Sequence, residues 1–339
     1  MRILITGAAG FLGRKLATDL ARRPMLMDAD GGQRQVSELI LVDQVEVPEL
    51  PELGPDAPQF TRVTGDLDKA AEILSQPDPG IDGVVHLAAM VSAGAEADFE
   101  LGYRVNLDGT RGLLEACRGQ SRPPRFLFAS SVAVFGGRMP DVIRDDTAAT
   151  PQTSYGTQKL MGELLVADYS RKGMVDGRSL RLPTIVVRPG KPNKAASTFA
   201  SSIVREPLQG QPATCPVSTD AALWVLSPRA VTAAFRHAWE LTADRLPAGR
   251  AINLPGLTVS VTDMVDAVRR FGGDEAASLI RFAPDPAIEA IVRSWPTRFA
   301  PERALALGFR PDADLDAIMQ GFVEDDLVRP GSVGGSADL

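Results

Sequence analysis

Short apolar runs alternate with segments of helical period through the first half of the chain. Residues 2–6, Arg-Ile-Leu-Ile-Thr, read as a buried strand. Residues 10–22 follow as a helix, with Leu12, Leu16 and Leu20 on one stripe at i, i+4 and i+8. Further strands are expected at residues 38–43, 61–65, 83–87, 125–130 and 179–187. The longest helical patterns between them cover residues 96–117 and 152–171. Strand and helix in strict alternation require crossover connections, so the pattern predicts an α/β fold, a Rossmann-like doubly wound parallel sheet covered on both faces.

The pattern weakens in four places. Residues 24–37 contain Gly31-Gly32 and little periodicity, and residues 47–59 carry Pro48, Pro51, Pro55 and Pro58; both read as loops. After Arg188-Pro189-Gly190 the regular alternation stops, which predicts a smaller C-terminal substrate lobe. The expected organisation is a nucleotide-binding domain over residues 1–187 and a mainly substrate-binding lobe over residues 188–328, with room for elements to return to the first domain. The Gly- and Ser-rich residues 329–339 read as a flexible tail.

Composition narrows the chemistry. A chain of 339 residues with 44% apolar content buries a full core. Its net charge of −7 excludes a global basic field for nucleic acid or anionic lipid. Two cysteines, Cys117 and Cys215, provide no disulfide framework, and His86 and His237 share no metal-ligand spacing, so no metal is expected. The first residues run straight into a strand and glycines without a secretory h-region, and no apolar run reaches the ~20 residues of a membrane span. A reduced cytoplasmic compartment is the expectation.

Thr6-Gly7-Ala8-Ala9-Gly10-Phe11-Leu12-Gly13 joins the first strand to the first helix. Gly7 suits the tight turn, Gly10 a close approach of backbone to a diphosphate, and Gly13 close packing of helix on sheet. The diphosphate would face the helix N-terminus, where free N–H groups and the dipole favour anions. Asp43 ends the second strand, where a carboxylate binds ribose hydroxyls and repels a 2′-phosphate. Its neighbours Gln44, Val45 and Glu46 supply no cation, so the cofactor expected is NAD rather than NADP. The 24–37 insertion accounts for the long spacing between the glycines and Asp43. Asp66, ending the third strand, either accepts a hydrogen bond from adenine or caps the next helix. His86 reads as a core or supporting histidine, and the small residues of Leu87-Ala88-Ala89 let backbone pass the cofactor.

Tyr155 and Lys159 stand at i and i+4 near the start of a helical segment, so a phenol and an ammonium share one face. Oxidation of an alcohol by hydride transfer needs a base for the hydroxyl proton. A free phenol, with a pKa near ~10, becomes one only when a cation stabilises its anion. Ser131, after the fifth strand, is placed to position the substrate oxygen. Tyr-x-x-x-Lys alone is a common string; its weight here comes from its order after the glycine turn, the acidic strand end and the serine.

With these motifs together the chain resembles the extended short-chain dehydrogenase/reductase family over nearly its whole length. The resemblance rests on residues 6–13, Gly65-Asp66-Leu67, residues 86–89, Asn106 with Gly109-Thr110, residues 130–136, and Tyr155 with Lys159. It implies that Ser131, Tyr155 and Lys159 fall on the catalytic positions, that Asn106 helps hold the site, and that the family's dimer forms through helices at 96–117 and 152–171. The set expected around NAD is Gly7, Gly10, Phe11, Leu12, Gly13, Asp43, Asp66, Leu67, Leu87, Ala88, Ala89, Tyr155, Lys159, Pro183 and Thr184. The loop after the sixth strand brings Arg188, Lys191 and Lys194 over the nicotinamide end, with Arg229 further on, and these cations suit a small acidic substrate. The bland alternative is a solvated basic loop, or contacts to the cofactor diphosphate. Residues 181–202 and Ser227-Pro228-Arg229 are similar to the subgroup that oxidises the C2 hydroxyl of a four-carbon sugar acid, D-erythronate. The competing expectations are a nucleotide-sugar epimerase, which uses the same residues and returns the hydride, and a non-catalytic NAD-binding sensor.

Overall fold

The computed structural model of the protein describes residues 1–28, 31–51, 53–76, 78–190 and 196–327. Lys191, Lys194 and the tail lie outside the described residues. The first six main strands are β1 (Arg2–Thr6), β2 (Glu38–Asp43), β3 (Gln59–Thr64), β4 (Gly83–His86), β5 (Arg125–Ser131) and β6 (Asp176–Leu182). Next come β7 (Thr184–Ile185), β8 (Ala222–Leu226), β9 (Ala251–Asn253) and β10 (Leu257–Ser260). The central sheet has seven parallel strands in the order β9-β6-β5-β4-β1-β2-β3. Strand order reverses between β1 and β4, and the crevice beyond their carboxyl ends is where such sheets bind ligands.

Both faces of this sheet are covered, which explains its nearly unbroken apolar strands. The helices of the first half are α1 (Phe11–Arg22), α2 (Leu67–Leu74), α3 (Ser92–Ala97), α4 (Phe99–Tyr103), α5 (Gly109–Cys117) and α6 (Ser154–Arg171). Later come α7 (Thr198–Leu208), α8 (Pro228–Glu240), α9 (Val261–Ser278), α10 (Pro286–Arg293), α11 (Glu302–Leu307) and α12 (Leu315–Asp325). On one face Leu16 and Leu20 of α1 join Phe235 and Trp239 of α8 against Ile3, Ile5 and Leu127. On the other, Leu74, Leu113, Leu114 and Val166 of α2, α5 and α6 close over Leu4, Val84 and Phe126. A second core gathers Phe199, Ile203, Val225, Met264, Val268 and Phe322 from α7, β8, α9 and α12.

Three sequence expectations change. Residues 24–37 are not all loop: Met25–Met27 and Gln33–Gln35 pair as an antiparallel hairpin. The sixth strand is not continuous to residue 187. Pro183, with no N–H to donate, ends pairing with β5, and β7 then pairs with β8 in a separate sheet of order β7-β8-β10. The helix expected over residues 96–117 is broken. Asp98 caps α4 by accepting from Leu101 N (3.0 Å), and Arg104–Asp108 forms a turn of π-helix before α5. Such bulges mark places where a helix is distorted for a function.

Candidate active site

The glycine turn is shaped by close approach. Gly7 sits at φ +71°, and a Cβ there would stand 2.7 Å from Ala88 N. A Cβ on Gly13 would stand 2.3 Å from Gly7 O, so only glycine lets α1 press onto the turn. Gly10 is the N-cap of α1 and contributes no side-chain bond, which leaves first-turn N–H groups for an anion. One groove is lined by Thr6, Gly7, Gly10, Asp43, Asp66, Leu67, Leu87, Ala88, Ala89 and Val105. Glycines, a helix N-terminus and a strand-end carboxylate together fit a dinucleotide. Phe11 and Leu12 are half-buried against the core beneath α1.

Asp43 has a second task beyond its place in the groove. Its Oδ2 accepts from Ala9 N (2.9 Å), so the same carboxylate steadies the glycine turn. Asp66 caps α2, its Oδ1 accepting from Lys69 N (3.1 Å), and it also lines the groove.

Tyr155 and Ser131 meet because α6 starts unusually close to the end of β5. Thr153 caps α6 through Gly156 N (3.1 Å), and a Cβ on Gly156 would fall 2.1 Å from Ala133 O. Burial pushes the Tyr155 phenol up from its ordinary value, while the Arg188 guanidinium and the Ser131 hydroxyl pull it back. One turn on, Lys159 is 2% exposed, with Nζ 4.8 Å from the Phe128 ring centre and 5.6 Å from that of Tyr155. Burial pushes the Lys159 ammonium down to about 7, and Glu163 opposes the fall.

Asn106 sits in the π-turn and is 2% exposed. Its Nδ2 donates to Met90 O (2.9 Å) and to Gln158 Oε1 (2.7 Å), while its Oδ1 accepts from Met90 N (2.8 Å). It therefore ties the segment after β4 to α6 between Tyr155 and Lys159. His86 is held neutral, since burial pushes it down to about 3. Its tautomer follows from its partners. Thr110 Oγ1 donates to Asn106 O (2.7 Å) and so accepts from His86 Nε2 (3.0 Å). His86 Nδ1 then accepts from Thr6 Oγ1 (2.7 Å), which itself accepts from Ala88 N (3.3 Å). One chain of bonds thus runs from the groove to the π-turn, a role that the isolated histidine did not signal.

Of the cations expected around a substrate, Arg188 is brought to the cluster. Its Nε donates to Ile185 O (3.0 Å) and an Nη to Ser197 Oγ (3.0 Å), and its electrostatic partner is Tyr155. Pro183 and Thr184 stand where the chain leaves the central sheet, just before this arginine. Arg229 is directed elsewhere: its guanidinium binds Asp325 and Glu324 at the end of α12. Sequence reasoning missed Glu163 and Arg181. They lie 3% exposed and half-buried respectively and form a bidentate pair, Nε to Oε1 at 2.9 Å and Nη2 to Oε2 at 2.7 Å. The signal available was a carboxylate at i+8 from Tyr155 on the same helix face. Among the described residues no group of three acidic, histidine or cysteine side chains is placed to hold a metal.

Comparison with known proteins gives a consistent picture. The NAD dependent epimerase/dehydratase family matches residues 3–222. A D-erythronate dehydrogenase of Cupriavidus necator is 51% identical over 325 residues, covering 96% of this chain and 98% of its own. A D-erythronate dehydrogenase of Haemophilus influenzae is 45% identical over 330 residues, covering 96% and 100%. Among solved structures, a nucleoside-diphosphate-sugar epimerase from Agrobacterium tumefaciens is similar at 40% identity and a TM-score of 0.88, covering 96% of this chain and 94% of its own.

Proposed function

The chain belongs to the NAD dependent epimerase/dehydratase family, and from that premise we propose that it oxidises the C2 hydroxyl of D-erythronate to a 2-oxo acid, with NAD as oxidant. The observation that carries this reading is full-length similarity to two D-erythronate dehydrogenases from different organisms. Arg188 supports it, because it is a cation whose charge is felt at Tyr155 and which could pair with the carboxylate of a 2-hydroxy acid.

When bound, NAD supplies a hydride acceptor and a positive charge beside the phenol. Tyr155, ionised beforehand to the phenolate, takes the C2 hydroxyl proton at its oxygen. Ser131, whose hydroxyl favours the anion of that phenol, fixes the substrate hydroxyl against it. Lys159 stabilises the phenolate and holds nicotinamide ribose hydroxyls. Arg188 receives the carboxylate, and its bonds to Ile185 O and Ser197 keep the guanidinium oriented. Lys191 and Lys194 fall outside the described residues, and Arg229 is engaged by α12, so the carboxylate site is argued from Arg188 alone. The second core, with α7, α9 and α12, is the part of the chain proposed as the substrate lobe.

The test is NADH formation with D-erythronate, erythritol and a UDP-sugar. Erythronate should be turned over, erythritol poorly, and the UDP-sugar without net NADH. NADH formation with erythritol equal to that with the acid would overturn the carboxylate reading.

Asp43→Asn is expected to lower the preference for NAD over NADP. The substitution removes one charged interaction, which typically contributes about 1.5–3 kcal/mol, or roughly ten- to a hundred-fold in binding ratio. Titrations of wild type and variant with both cofactors decide it. Equal affinities already in the wild type would sink the idea.

The protein is proposed to act in the cytoplasm as a homodimer. Among the described residues no helix is long and apolar enough to cross a membrane. Leu107, Asp108 and Arg111 form a mostly apolar groove with Met161, Leu164 and Leu165 of α6, and Leu164 is 63% exposed. A second copy presenting the same face would cover it. Leu164→Arg should convert a dimer to a monomer in light scattering, whereas an unchanged mass would remove this face from the interface.

A further inference from the structure

Behind the catalytic lysine lies a buried charge set that the reaction as described does not use. Tyr155, Lys159 and Glu163 follow one another at i, i+4 and i+8 on the inner face of α6. Under Glu163 three strands present one row: Ser130 of β5, Arg181 of β6 and Asn253 of β9 are register partners. Ser130 donates to Glu163 Oε1, and Arg181 donates from Nε and Nη2 to both carboxylate oxygens. Arg181 Nη1 donates to Asn253 Oδ1 (3.2 Å), and the guanidinium lies 5.0 Å from the Phe135 ring centre. Ser130 is the neighbour of Ser131, and Phe135 closes the segment that follows it. The whole set is therefore anchored to the elements that carry the catalytic groups.

A buried carboxylate with three donors is costly unless paired, and a buried bidentate pair contributes little net stability compared with apolar packing. Its placement one turn behind a 2%-exposed ammonium gives it another use. We propose that Glu163 is a positioning residue that keeps the Lys159 ammonium charged inside the protein, while Arg181 fixes the Glu163 carboxylate and limits its field. Tyr155 and Glu163 on α6, Arg181 on β6 and the neutral His86 on β4 are the titratable and charged groups named by the geometry around Lys159, with Arg188 beyond Tyr155. Burial lowers the lysine and Glu163 is the group that raises it, so the carboxylate sets how much of Lys159 is protonated near neutral pH. Without that charge the phenolate loses its stabilising cation.

The inference rests on the reading of Tyr155 and Lys159 as the catalytic pair, and its test separates the two. NAD-free protein labelled with ¹³C at lysine Cε is titrated by NMR, with Lys159→Met assigning the signal, and kcat/KM is followed against pH. Glu163→Gln should lower the Lys159 midpoint by about one unit, roughly ten-fold in the protonated ratio. The alkaline limb of kcat/KM should move the same way. Arg181→Met should move both upward, because it frees the carboxylate field. Glu163→Asp should stay near wild type. The double variant leaves no unpaired charge and protects the test against misfolding of either single variant; its midpoint should lie below wild type and above Glu163→Gln. A structural role predicts no midpoint change, or changes in one direction for both single variants, and either result overturns the inference. Full activity in Lys159→Met would instead overturn the catalytic reading.

Discussion

Tyr155→Phe is expected to lower kcat for D-erythronate by about 10²–10⁴-fold, the range assigned to removal of a positioned base. NAD affinity should stay within about two-fold on the same reasoning. The two outcomes separate because the phenol oxygen meets the reacting proton, whereas the dinucleotide groove is built from the glycine turn, Asp43 and residues 87–89. Phenylalanine keeps the ring that faces Lys159 at 5.6 Å, so packing around the ammonium survives. What disappears is the oxygen whose anion Arg188 and Ser131 favour. Stopped-flow NADH absorbance and a separate NAD titration give the two numbers. A variant with more than about a tenth of wild-type kcat would place the base elsewhere, given the size of effect expected from a base.

Arg188→Met is expected to lower kcat/KM for D-erythronate by about 100-fold, the upper part of the range for a single charged hydrogen bond of roughly 1.5–3 kcal/mol. The loss is placed high in that range because Arg188 acts on the enzyme as well as the substrate: its charge opposes the rise that burial imposes on the Tyr155 phenol. Erythritol, lacking the carboxylate, should lose much less, so the preference for acid over polyol should shrink in the variant. Arg188→Lys should rescue little, since an ammonium cannot reproduce the guanidinium's simultaneous bonds to Ile185 O and Ser197 Oγ. Equal losses for acid and polyol would assign Arg188 to the phenol alone. Full activity with the acid would remove it from the site.

The parts of this molecule that follow from local pattern were readable in the sequence. The strands β1, β2, β4 and β5 are apolar runs bounded by turns, and their parallel pairing follows from the helices between them. The glycine turn was readable because backbone contact restricts residue choice: Gly7 and Gly13 have no space for a Cβ. The elements that escaped depend on distant partners. β9 has three residues, Ala-Ile-Asn, and becomes a strand only because β6 offers an unpaired edge. The π-turn at Arg104–Asp108 is set by Asn106 binding Met90 and Gln158, and no helical period records it. Arg229 looked like a substrate cation in a linear reading, because its partners Glu324 and Asp325 are almost a hundred residues away. Glu163 was hidden for the same reason: its meaning comes from Arg181 on a strand beyond the helix.

The central claim is that the bond broken to hydride is the one at C2 of a 2-hydroxy acid, with Tyr155 receiving the hydroxyl proton. D-Erythronate carrying deuterium at C2 tests it most directly, with mass spectrometry of both the reduced cofactor and the sugar product. Deuterium is expected in the NADH, with a 2-oxo acid free of label. Deuterium retained in the oxidised product, with unlabelled NADH, would contradict it.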